Sequence, residues 1–135
     1  METLTTPKTN YLLEAGLDVL HSESREWLSE VEFLKSELRF FMKLLNSKVF
    51  SIGKDQQRQH IFKNMDNLAT SVIYELEHEV KSHEKNLSVL LTAKKDTSDA
   101  PYRTKHKQLK RKVAQVINDT RTLKMLVFDF VEHLK

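Results

Sequence analysis

Apolar residues recur along this chain in steps of three and four, over three long stretches, and that spacing keeps one face of a helix apolar in each. The first stripe reads Leu13, Leu17, Leu20, Ser24, Trp27, Val31, Leu34, Leu38, Phe41 and Leu45, with Ser24 its one polar member. Leu28, Phe33, Phe40, Met42 and Leu44 widen its second half, as expected of a helix that touches two neighbours. The second stripe reads Met65, Leu68, Val72, Leu76, Val80, His83, Leu87 and Leu90. Its successive four-residue steps depart from a strict heptad and locally straighten a supercoil. The third is the most regular: His106, Leu109, Val113, Val116, Thr120, Leu123, Val127, Phe130 and Leu134, broadened by Ile117, Leu126 and Val131.

Breaks between the stripes are equally plain. Gly53, inside Ser51-Ile52-Gly53-Lys54-Asp55, suits a left-handed cap and a restart. Lys94-Lys95-Asp96-Thr97-Ser98 is polar enough to turn, after which Ser98 or Asp99 caps a helix that tolerates Pro101 in its first turn. The pattern predicts helices over residues 10–49, 55–95 and 100–134, with Gly16 and His21-Ser22-Glu23-Ser24 the soft point of the first. Short connections make sequential helices antiparallel neighbours, so the expected fold is all-α. It is an up-down-up bundle of three long helices with coiled-coil-like packing, a single domain over residues 1–135. Trp27, Leu34, Phe41, Leu76, Leu123 and Phe130 are assigned to the core.

Folding the chain about Gly53 brings Ser24 level with His83, and folding about Ser98 brings His83 level with Gln115 and Val116. Ser24 and His83 therefore form an expected polar layer in the core, with His83 bonded to Ser24, to a backbone carbonyl or to water. The chain's 135 residues, 39% of them hydrophobic and 30% charged, are enough to bury one core without a disulfide or metal staple. With no cysteine, thiol catalysis and thiolate metal sites are excluded. The first ten residues lack the apolar run of a signal peptide, and the densest apolar patch, Phe40 to Leu45, is interrupted by Lys43 and far too short to cross a membrane. A cytoplasmic location follows by default, with no membrane association and no cofactor.

Three constellations invite chemistry. Glu75 and His78 form one Glu-x-x-His pair, but Leu76 holds the stripe and turns His78 to the outer surface. Glu14, Asp18 and His21 share a helix face of the kind that glutamate-rich helices produce often. The run Lys94, Lys95, Arg103, Lys105, Lys107, Lys110, Arg111 and Lys112 is the basic stretch of a chain whose net charge is only +3. Register sets that run beside Glu23 and Glu26, where flanking charges pair across helices, so nucleic acid is not the expected partner.

Two local patterns resemble known families. Gln59-His60-Ile61-Phe62-Lys63-Asn64 resembles the His-x-x-Lys-Gly motif of histidine phosphotransfer domains, which are helical bundles of similar size. That resemblance implies His60 as a phosphoryl acceptor and Lys63 as its stabilising cation, with Asn64 standing where the family has glycine. Ser24-Arg25-Glu26-Trp27-Leu28-Ser29-Glu30 and Val80-Lys81-Ser82-His83-Glu84-Lys85, followed by a charged amphipathic helix, are similar to small uncharacterised helical proteins common in Bacteroidota, a family without an assigned activity to transfer. The stripes offer no converging polar pocket, so the expectation is a non-enzymatic protein that binds a protein partner or itself. Phosphotransfer through His60 and nucleic-acid binding through residues 94–112 are the alternatives. Phe33, Phe40, Phe128 and Val131 exceed what one seam needs and point to a homodimer.

Overall fold

The computed structural model describes residues 16–47, 55–92 and 98–133, and every element among them is helical. Helix α1 spans Leu17–Leu45, α2 spans Asp55–Asn67, α3 spans Ile73–Leu91 and α4 spans Ala100–Glu132. A single π-helical turn, Leu68–Val72, joins α2 to α3, and both flanking residues keep right-handed helical backbone angles, so the middle segment is one continuous rod. At 1.5 Å per residue α4 is about 50 Å long. Leu13, Glu14, the Gly53 turn, Lys94, Lys95 and Leu134 lie outside the described residues. No helix is long and apolar enough to cross a membrane among the residues described.

In α1 the stripe is the buried face: Leu20, Ser24, Trp27, Val31, Leu34, Leu38, Phe41 and Leu45 are all buried. Gly16 caps this helix, its carbonyl accepting from Val19 N–H at 3.0 Å and Leu20 N–H at 3.3 Å. The weak helix formers His21 to Ser24 stay inside the helix, because Leu20 and Trp27 on either side of them are packed. At the start of α4 the Ser98 hydroxyl accepts from Ala100 N–H at 3.2 Å, and Pro101 sits in the first turn, where its missing donor costs nothing.

The middle rod departs from its stripe at one point. Val72, assigned to the core by spacing, is exposed, and Ile73 is fully buried in its place. The cause is the π turn: Ile73 N–H donates to the Leu68 carbonyl five residues back, so the buried series steps by five from Leu68 to Ile73 before continuing through Leu76 and Val80. One extra residue is looped outward and the apolar face stays in line. Thr70 Oγ donates to the Asp66 carbonyl at 2.8 Å within this turn, supplying a donor where the regular ladder is disturbed.

Two apolar clusters result. The larger runs from Trp27 to Leu45 on α1, through Ile61, Met65, Leu68, Ile73, Leu76 and Val80, to Leu109, Val113, Val116, Val127 and Phe130 on α4. Leu123 packs on it half-buried. The smaller consists of Leu20, Leu87 and Tyr102 with Leu17 and Leu90 against it. On each helix a buried polar residue separates the two: Ser24 on α1, His83 on α3 and His106 on α4. Ion pairs set the relative heights. Lys35 meets Glu77 and His21 meets Glu84 across α1 and α3, Lys124 meets Glu37 across α4 and α1, and Lys105 and Lys112 meet Glu79 across α4 and α3.

Candidate functional site

The polar layer is built on the stripe positions themselves, so its side chains point inward for the same helical reason as the leucines around them. His83 is 1% exposed and Ser24 and His106 are fully buried. His106 Nε2 lies 2.8 Å from Glu23 Oε1, and a carboxylate only accepts, so Nε2 carries the proton. His106 Nδ1 is then a bare acceptor. His83 Nε2 lies 3.0 Å from it and donates. The result is a chain from α3 through α4 to α1, in which every proton position is assigned. Its last atom, His83 Nδ1, is buried and has no hydrogen-bond partner.

Aromatic rings close around this chain. Tyr102 stacks face to face on His83, centroids 4.1 Å apart and planes 4° from parallel. Trp27 covers His106 at 4.5 Å. Ser24 takes no part in the imidazole chain: its hydroxyl donates to the Leu20 carbonyl at 3.2 Å, one turn back on its own helix. The Tyr102 hydroxyl lies toward Ser24 but has no hydrogen-bond partner of its own. His21 Nδ1 approaches Glu84 Oε1 to 2.8 Å, off the hydrogen-bonding line, and Glu84 Oε2 is buried without a partner.

Burial governs the electrostatics. It pushes His83 down to about 4, and the neighbouring His106 and Lys105 charges add to that. His106 is lowered by the same desolvation, against which the Glu23 hydrogen bond and charge pull upward. Burial, followed by the Glu84 charge, pushes the Tyr102 hydroxyl up to about 12. Near neutral pH both imidazoles and the phenol are therefore uncharged. Two clefts reach this region, one of about 490 Å³ lined by Leu17, His21, Glu84 and Leu91, the other of about 320 Å³ lined by His83, Leu90, Tyr102 and Lys105.

The register differs from expectation in one connection. His83 stands level with His106 and not with Gln115 and Val116, which line a cleft with Glu75 and Leu76 instead. That register gives His83 an imidazole partner, while the Ser24 hydroxyl bonds within its own helix. His60 and Lys63 are exposed on α2, with His60 Nε2 3.2 Å from the Asn64 amide nitrogen. His78 is exposed, and His21 pairs with Glu84 and not with Asp18. Among the described residues no group of three metal-ligating side chains converges. His106 and Glu23 complete the layer beyond Ser24 and His83, and a second histidine at a stripe position is the sequence signal that marks it. No family model, no curated protein and no solved structure matches this chain.

Proposed function

We propose that this chain is an up-down-up antiparallel bundle with coiled-coil packing that works in the cytoplasm without chemistry of its own, by docking the α1–α4 face against a protein, with a second copy of itself as the partner. The pairings support the topology. Residue numbers rise on α1 as they fall on α3, from 21 with 84 to 35 with 77, and rise together on α1 and α4, from 23 with 110 to 37 with 124.

The observation that carries the functional reading is an aromatic strip left in water. Phe33 is 57% exposed, Phe40 60% and Phe128 57%. Phe33 and Phe40 are two turns apart on one face of α1. Phe128 joins them from α4, edge-on to Phe41 at 5.8 Å. Exposed apolar residues grouped in this way mark interaction surfaces more than scattered ones do. Farther along the same seam Glu26 and Glu30 flank it on α1 and Lys110 on α4. Acid on one side and, on the other, a lysine held by Glu23 only at 3.5 Å are self-complementary under a two-fold axis, which favours a second copy as the occupant.

The basic stretch is largely spent inside the molecule. Arg103 pairs with Asp99, Lys105 and Lys112 with Glu79, and Lys110 with Glu23. Such pairs are worth about 0–1 kcal/mol each and act mainly on register. Sedimentation equilibrium at high micromolar concentration should give a dimer mass. Replacing Phe33, Phe40 and Phe128 together by Ser should give a folded monomer. A wild-type monomer at that concentration would remove self-association.

A further inference from the structure

The hydrogen-bond chain Glu23–His106–His83 has no place for another proton, and we infer that it is an acid-released latch that holds the start of α1, the end of α3 and the start of α4 together. The argument is one of donors and acceptors. Glu23 fixes the proton of His106 on Nε2, His106 Nδ1 fixes that of His83 on Nε2, and each link is at most 3.0 Å. The reverse arrangement would set a bare imidazole nitrogen against the Glu23 carboxylate. An added proton therefore enters at His83 Nδ1. If the bridging proton then shifts to His106, the positive charge moves beside Glu23, but the new N–H on Nδ1 remains. That atom is buried with no acceptor in reach, so the folded layer resists the proton while the open chain accepts it.

The charged groups around the layer act in both directions, Glu23 and Glu84 favouring a cation on His106 and the lysines opposing one. From α1 come His21 and Glu23, from α3 Glu84, and from α4 Arg103, Lys105 and Lys110. Glu23 favours the cation on His106, whereas Lys105 disfavours it on His83 and Lys110 on His106. Neither carboxylate is bonded to His83 Nδ1. Beyond the latch, among the described residues, the buried cluster is Leu20, Leu87 and Tyr102 with Leu17 and Leu90 against it, far smaller than the main core. The two clefts that flank it let water in once the chain breaks. The far end rests on the apolar side chains of Leu38, Leu45, Met65 and Phe130.

Amide hydrogen exchange on the full chain tests the latch, corrected for the intrinsic pH dependence of exchange. From about pH 7.5 to about pH 5 the opening constant should rise roughly thirtyfold at residues 17–24, 83–91 and 100–109, and little at 34–45 and 120–132. His83→Gln keeps a donor for His106 Nδ1 and removes the group that takes up the added proton, so the acid response at residues 17–24, 83–91 and 100–109 should shrink to what His106 alone contributes. Nitrogen NMR of the imidazole rings needs no variant: at neutral pH it should show His83 and His106 both protonated on Nε2 and bare on Nδ1. A His106 protonated on Nδ1, an unaltered acid response in His83→Gln, or equal loosening of the two ends would each overturn the proposal.

Discussion

The two ends of this bundle are held by different physics. At the end containing Leu38, Leu45, Met65 and Phe130 the fully buried side chains are apolar but for Thr120, whose hydroxyl donates to the Val116 carbonyl, and its stabilisation follows the area removed from water. At the other end, among the described residues, a small cluster around Leu20, Leu87 and Tyr102 lies outside a layer of two imidazoles, a serine and a carboxylate. Apolar packing tolerates any pH, whereas a buried polar chain stays satisfied only while its protons sit on the assigned atoms. The same stripe thus encodes a permanent joint and a conditional one.

The largest test of this contrast is a pair of truncations. Leu76→Ala in the main core should cost about 2–5 kcal/mol of global stability, because the surrounding side chains cannot close the cavity. Leu20→Ala, beyond the polar layer, should fall at or below about 2 kcal/mol, since that end can relax. Urea denaturation of both variants would settle it, and equal costs would erase the distinction between the ends.

Acid comes next. Between pH 6.5 and about 4 the unfolded chain holds a proton on His83 that the folded chain does not. Stability is therefore complete above 6.5 and declines as pH falls across that window, by on the order of 3 kcal/mol in total. His106, lowered as well, acts in the same direction. Denaturation midpoints measured in steps through that window should show the slope. A flat profile would mean that the imidazoles are not held neutral by burial.

The smallest effect concerns the main core's one irregularity. Deleting Val72 removes the looped-out residue of the π turn and leaves Leu68 and Ile73 four apart, the spacing of a regular helix. Both apolar faces keep their alignment, so stability should stay within about 1 kcal/mol of the parent. Global unfolding of this deletion would show that the turn is a structural requirement instead of an absorbed insertion.

Much of the fold is legible in the sequence. All eight buried positions of α1 belong to the three-and-four series, because one continuous helix against two neighbours leaves spacing nothing to compete with. Val72 and Ile73 exchanged roles because a five-residue step lies outside that series, and a π turn leaves no local mark in Leu68-Ala69-Thr70-Ser71-Val72. Ser24 and His83 stood out as polar interruptions, yet their bonding did not. Which side chain His83 meets is set by packing between helices and not by either helix alone. Glu23 reads as an ordinary surface charge until α4 is laid beside it, when its carboxylate becomes the anchor of the layer.

Trp27 is the chain's only tryptophan, and its indole lies on the imidazole of His106 with centroids 4.5 Å apart. An imidazolium is an efficient quencher of indole emission and a neutral imidazole is a poor one. The ring nearest the layer's central histidine is therefore also the only strong intrinsic fluorophore in the molecule. Its emission intensity and colour report the protonation and hydration of that layer from unlabelled protein, on the timescale of stopped-flow mixing.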